Sequence, residues 1–101
     1  MAEKNAKNLV EVSSLQDLVF LVKEFEVVRN RRGREFFRLN ETGAVEPIGR
    51  ITVNERDELV MMGASKKVFS TEKEIMRSEL GQALKRQEVV VADLFDYQMI
   101  H

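Results

Sequence analysis

The sequence predicts a small α+β domain, and three observations support that prediction. The chain has 101 residues, which is enough for one hydrophobic core and too few for barrels or two-domain dehydrogenases. Apolar residues recur at helical spacing towards both ends, whereas the middle alternates β-branched and aromatic residues with turn residues. We expect an N-terminal helix, an antiparallel meander of three or four strands, a well-capped helix and a C-terminal strand that joins the sheet.

The N-terminal region combines a polar segment with an amphipathic one. Residues 1–8 are small, polar and charged, so we interpret them as a flexible tail before a single domain over residues 9–101. Ser14 and Asp17 then form a start typical of a capped helix. Apolar residues follow at steps of three and four, namely Leu15, Leu18, Val19, Val22 and Phe25. They predict a helix over about residues 14–24, with a long strand as the alternative.

Next, two turn signals separate segments of strand-like composition. The sequences FEVV and REFFRL flank residues 30–33, where Gly33 can supply a left-handed position, and this pattern predicts a hairpin. A second turn is predicted at residues 40–43, which read NETG.

Further along, Pro47 constrains where the next strand can lie. Because proline has no backbone N–H, it belongs at a strand start, a bulge or a sheet edge. Residues 58–62 are predicted to pair with residues 50–53. A short helix over 55–62 is the alternative, capped by Asn54.

The clearest helix start in the chain is Thr71 with Glu74, a capping box that opens a predicted helix over residues 71–87. Gly81 lowers helix propensity there, and its missing side chain permits a neighbouring element to approach closely. The sequence VVVA that follows predicts a buried strand, whereas the DLFDYQMI segment after it fits no single period.

The residue inventory argues against catalysis and against a metal or cofactor. The chain has no cysteine, so disulfides, thiolate metal sites and thiol catalysis are excluded. Its one histidine, His101, is interpreted as a solvated terminal residue. Asp93 and Asp96 near Tyr97 form the one carboxylate pair in apolar surroundings, and we interpret them as solubilising residues rather than as an acid/base pair. We therefore predict a non-enzymatic protein.

Hydropathy along the chain predicts a cytoplasmic protein. The first residues lack the uninterrupted apolar stretch of a signal peptide, and no window approaches the ~20 apolar residues of a membrane span.

A basic segment at residues 29–38, with the sequence RNRRGREFFR, is the most distinctive feature. It holds five arginines and one glutamate, so it carries +4 in a chain with a net charge of −1. Strand alternation places Arg34, Phe36 and Arg38 on one face and Phe37 and Leu39 on the other, which we predict to be the core face. Phe36 would then be exposed between guanidinium groups, as on nucleic-acid-binding surfaces.

Three interpretations of this segment compete: a solvated turn with a packed Phe36, a surface for a protein partner or a second copy, and a nucleic-acid surface. A sequence pI near 5.9 argues against the last. We expect a small interaction or regulatory protein that binds another protein, with a homodimer as one form, and nucleic-acid binding as the alternative function. The candidate binding residues are Arg31, Arg32, Arg34, Phe36 and Arg38.

A second candidate surface lies in residues 88–101, which contain three carboxylates and no Lys or Arg. Its charge is opposite to that of residues 29–38, which favours either a contact between two copies or one within the chain. Met61 and Met62 have the adaptable character of partner-binding methionines, but core filling is the simpler interpretation.

Overall fold

A computed structural model describes residues 9–63 and 66–94. The predicted tail at residues 1–8 and the proposed roles of Asp96, Tyr97 and His101 lie outside these ranges. Nine elements follow one another along the described chain: β1 Leu9–Glu11, α1 Leu15–Arg29, β2 Arg34–Leu39, β3 Val45–Val53, β4 Leu59–Met62, β5 Lys67–Phe69, α2 Glu72–Arg77, α3 Glu79–Lys85 and β6 Val89–Ala92. The α+β class is confirmed.

One six-stranded sheet contains all of these strands, in the order β1-β6-β2-β3-β4-β5. Every neighbouring pair is antiparallel. Strands β2, β3 and β4 are the predicted meander in its three-strand form, since the strand predicted at residues 25–28 is helical. β5 extends this meander and was not predicted. The predicted C-terminal strand, β6, joins the sheet between β1 and β2, while β1 itself was not predicted.

β3 carries a bulge where Pro47 lies. Phe36 pairs with Gly49 and Phe37 with Pro47, so Ile48 is an extra residue on β3. Residues 50–53 of β3 also pair with β4, and Pro47 lies outside that doubly paired part. The prediction for Pro47 is confirmed: it lies beside the bulge, where the hydrogen-bond ladder between β2 and β3 is already interrupted, so its lack of a backbone N–H is tolerated.

Residues 59–62 form a strand, which decides between the two interpretations of this segment. β4 pairs with β3 as predicted, from Arg50 opposite Met62 to Val53 opposite Leu59. The connecting turn is held by the Asn54 side chain, whose Oδ1 accepts hydrogen bonds from the backbone N–H groups of Arg56 and Glu58, each at 2.9 Å. Asn54 thus closes a turn instead of capping a helix.

α1 begins where the sequence predicted and ends later. Ser14 Oγ accepts a hydrogen bond from the backbone N–H of Asp17 at 3.1 Å, and the helix continues to Arg29, five residues past the predicted end. Asn30 terminates it in a left-handed conformation with φ 52°. The predicted hairpin of FEVV with REFFRL is therefore wrong, because residues 30–33 connect a helix to a strand.

Burial explains why FEVV is helical despite its β-branched residues. Leu18, Val22 and Phe25 are the buried residues of α1, so the apolar period that starts the helix continues through Phe25. Packing of this face against β2 and β3 outweighs the weak strand preference of the valines that follow. Gly33 does take the predicted positive φ, +87°, but in the connection that follows the helix.

The predicted helix over 71–87 is two helices, divided at Ser78. The capping box is confirmed: Thr71 Oγ1 accepts from the N–H of Glu74 at 3.2 Å, and Glu74 Oε1 accepts from the N–H of Thr71 at 3.1 Å. Ser78 ends α2 through a backbone bond to the Ile75 carbonyl at 3.0 Å. It also caps α3, because its Oγ accepts from the N–H of Gly81 at 3.4 Å.

Gly81 makes this division possible. A Cβ at position 81 would collide with the carbonyl oxygen of Ile75 and with the backbone of Met76. The close approach predicted for Gly81 is confirmed, and the approaching element is the helix directly before it in sequence.

The core lies between one face of the sheet and the three helices. α1 contacts β2 and β3, α2 contacts β5, and α3 contacts β6. The largest fully buried apolar side chains of the core are Phe36, Leu18, Ile51, Leu80, Val12, Val22, Val89 and Val91. Within the described residues no helix combines the length and the apolar character needed to cross a membrane.

Candidate protein-binding surface

Phe36 is fully buried, at 0% exposure, and Arg34 is 4% exposed. Residues 34, 36 and 38 do share a face of β2, but that face carries the core. The interpretation with a packed Phe36 is therefore confirmed, and the exposed Phe36 of the nucleic-acid interpretation is wrong. The expectation that Phe37 and Leu39 would form the core face is also wrong, since both are half-buried. A base cannot stack on Phe36 in this structure.

Arg34 is held inside the protein by two backbone carbonyls. Its Nη1 donates to the Leu21 oxygen at 2.9 Å and its Nη2 to the Ala92 oxygen at 2.7 Å. The guanidinium carbon also lies 5.1 Å from the centre of the Phe25 ring. Burial lowers the pKa of Arg34, although nearby Glu24 and Asp93 oppose that shift. The arrangement fastens α1 to β6 and directs two of the guanidinium donors into the protein.

Arg38 joins the basic segment to the acidic one. Its Nε donates to Glu88 Oε1 at 2.9 Å. The opposite charges of residues 29–38 and 88–101 thus meet within one chain at this pair, which is the intramolecular form of the predicted contact.

Arg31 and Arg32 remain exposed in the connection between α1 and β2. Arg32 borders a shallow hollow together with Arg56 and two carboxylates, those of Glu55 and Glu58. Of the five candidate binding residues, therefore, Arg31 and Arg32 are exposed, Arg34 and Phe36 are buried, and Arg38 is ion-paired.

The outward face of α1 is the surface that the sequence reasoning missed. Phe20 is 61% exposed, Val27 81% and Val28 56%. Residues seven and eight positions apart lie on the same side of a helix, so these three side chains form one apolar strip, opposite the buried stripe of Leu18, Val22 and Phe25. A helix that is apolar on both sides is typically covered on both sides.

Two charged residues flank this strip at its middle. Lys23 is exposed and its Nζ lies 3.3 Å from Asp57 Oδ1; the two side chains are 53% and 79% exposed. Glu24 is half-buried. The line from Phe20 to Val27 is therefore bordered by one cation and one anion from consecutive residues, and Glu24 lies between this line and Val28.

A cleft of about 800 Å³ lies between strands β2 to β5 and the helices α2 and α3. Its apolar part includes Ile48, Met61 and Phe69, so Met61 packs against the core as the simpler interpretation expected. The rim mixes both charges: Arg38, Lys67, Arg77 and Arg86 with Glu46, Glu79 and Glu88. This lining favours no single ligand charge.

Neither the cleft nor the helix face assembles a metal site, since the described part of the chain contains no group of three carboxylate or histidine side chains placed to hold an ion. Comparison with known proteins adds no assignment: no family model, no characterised protein and no solved structure is significantly similar to this chain.

Proposed function

We propose that this chain is a small non-enzymatic interaction or regulatory protein, which binds another protein through the outward face of α1. The observation that supports this proposal is the exposure of Phe20, Val27 and Val28 on one side of a helix. Single apolar residues at a surface are ordinary, but a contiguous strip of large ones is characteristic of binding sites.

The energetic argument follows from the area that a partner would remove from water. Full burial of a valine or phenylalanine side chain contributes about 1.5–3 kcal/mol. Phe20 and Val27 are mostly exposed in the isolated chain, so most of that free energy is still available for binding. Lys23 and Glu24 would then form part of a polar border around an apolar centre, as in typical interfaces.

A chain without cysteine needs no oxidising compartment for disulfide formation, and we propose the cytoplasm. Nucleic-acid binding is the alternative, and it depends on Arg31 and Arg32, since Phe36 is buried. Its signature would be an affinity for a mixed oligonucleotide that falls steeply with added salt. The double variant Arg31→Glu, Arg32→Glu should lower this oligonucleotide affinity, and Phe20→Ser should leave it unchanged.

Photo-crosslinking in intact cells tests the proposed function. A photoreactive phenylalanine analogue at position 27 should give a discrete protein adduct, because Val27 is the most exposed residue of the apolar strip. The same analogue at Glu41, an exposed residue of the β2–β3 turn, is the matched control and should give none. Equal labelling from both positions, or no adduct from position 27, would refute the proposal.

A further inference from the structure

We infer that the protein bound by this helix face is a second copy of the chain, with the two α1 helices parallel and related by a two-fold axis that runs along them. This inference rests on the proposed function. The positions of four residues on α1 support it: Phe20, Lys23, Glu24 and Val27.

The four residues have a simple arrangement around the helix. With 3.6 residues per turn, each step rotates by about 100°, so positions seven apart almost coincide in direction. Phe20 and Val27 therefore lie on one line along the outward face. Lys23 and Glu24 fall between them in height and about 50° to either side of that line. The cation thus flanks one side of the Phe20–Val27 line and the anion flanks the other, with Val28 beyond Glu24.

Symmetry decides how two such faces can meet. A two-fold axis parallel to the helices brings the Lys23 edge of one copy against the Glu24 edge of the other, on both sides of the contact. A two-fold axis perpendicular to the helices produces an antiparallel pair and keeps like edges together. With Phe20 opposite Val27, it would place Lys23 near Lys23 and Glu24 near Glu24. Opposite charges attract and like charges oppose association, so the parallel arrangement is favoured.

The parallel arrangement also matches the apolar residues. At equal heights, Phe20 meets Phe20 of the second copy and Val27 meets Val27, while the reciprocal Lys23 and Glu24 contacts lie between the two layers. Glu24 also attracts the buried Arg34, and Lys23 is paired with Asp57. The Lys23–Asp57 pair does not prevent the contact, because both side chains are more than half exposed. Ion pairs of that kind contribute little to stability, so Lys23 can exchange its partner.

The strength of the contact is limited by its size. One fifteen-residue helix with three large exposed apolar residues is smaller than the interfaces of permanent dimers. We therefore expect a dimer that dissociates in the micromolar range.

Sedimentation velocity over a concentration series tests self-association. The unmodified chain should pass from monomer to dimer at micromolar concentrations. Val27→Ser should weaken the dimer at least about tenfold, since each copy loses a buried valine. Val68→Ser is the matched control, because Val68 is an exposed valine on β5, and it should leave the association unchanged. Val27 is 81% exposed, so its replacement should not unfold the monomer.

Single cysteines test the orientation cleanly, because the chain has none of its own. In the parallel dimer, Val27→Cys should oxidise to a disulfide-linked dimer by itself, and so should Phe20→Cys, each much faster than Glu41→Cys. An antiparallel dimer would crosslink efficiently only when the Phe20→Cys and Val27→Cys chains are mixed. That outcome would overturn the parallel arrangement.

The two proposals fail in different ways. A chain that stays monomeric at all concentrations, with an adduct from position 27 to some other protein, would overturn the second-copy inference and leave the binding function intact. A monomeric chain that also gives no adduct from position 27 would overturn both.

Discussion

Arg34 of β2 and Ala92 of β6 are joined by a 2.7 Å hydrogen bond between residues 58 positions apart in sequence. The same guanidinium donates to Leu21 in the middle of α1. One buried side chain therefore connects three elements that are distant along the chain.

Replacing Arg34 should be costly. Arg34→Met keeps an apolar stem but removes both donors, so we expect the free energy of unfolding to fall by about 3 kcal/mol. The exposed Arg32→Met should change it by less than about 0.5 kcal/mol. Urea denaturation followed by circular dichroism measures both. Equal stability of the two variants would show that the buried guanidinium does not hold the elements together.

Gly81→Ala should destabilise the protein although alanine favours helices. The new Cβ would meet the carbonyl oxygen of Ile75 and the backbone of Met76, and relief of that collision requires α2 and α3 to separate. We expect a loss of about 1–3 kcal/mol. Gly63→Ala is the matched control, since nothing lies within 4 Å of a Cβ there. A Gly81→Ala variant as stable as the Gly63→Ala variant would contradict the packing described here.

Removal of the α2 cap should have a smaller effect. Thr71→Ala deletes the hydroxyl that accepts from the N–H of Glu74 and should cost about 1 kcal/mol. Thr71→Ser retains a capping hydroxyl and should behave almost like the unmodified chain. Thermal melts of the three proteins make the comparison, and an unchanged midpoint for Thr71→Ala would argue against a capping role.

The stability of the fold should respond to acid through Glu58. Hydrogen bonds from Ser70 Oγ at 2.7 Å and Asn54 Nδ2 at 2.8 Å hold the pKa of the Glu58 carboxyl below its usual value. A carboxyl with a lowered folded-state pKa contributes stability above its unfolded pKa and loses it as the pH falls through the folded value.

The stability difference between the unmodified chain and Glu58→Gln should therefore be constant near neutral pH and shrink below about pH 4.5. Thermal melts across this range provide the measurement, with Glu41→Gln on an exposed turn as the control. A difference that grows on acidification would have the wrong sign for this mechanism.

Local signals in the sequence were sufficient for most elements. The caps at Ser14 and Thr71, the pairing of residues 58–62 with residues 50–53 and the position of Pro47 each depend on residues close in sequence, and the structure contains all four. The division of the last helix was missed because Ser78 can also lie inside a helix. Only the contact of Gly81 with the preceding helix shows that the chain must bend there.

The face of β2 could not be predicted from alternation alone. Alternation correctly grouped residues 34, 36 and 38, but the choice between faces depended on charge, and two arginines made that face appear solvated. The deciding contacts are the carbonyls of Leu21 and Ala92, which satisfy Arg34 from other elements. The exposed strip on α1 was missed for a related reason, since Val27 and Val28 were assigned to a strand.

The position of β6 inside the sheet has a consequence for the newly synthesised chain. β1 pairs with β6 alone. β2 pairs with β3 along one edge and with β6 along the other. Until residues 89–92 have left the ribosome, the first strand has no partner and the meander exposes an open edge of unpaired backbone groups. A nascent chain halted before β6 would therefore be vulnerable to aggregation and dependent on chaperones.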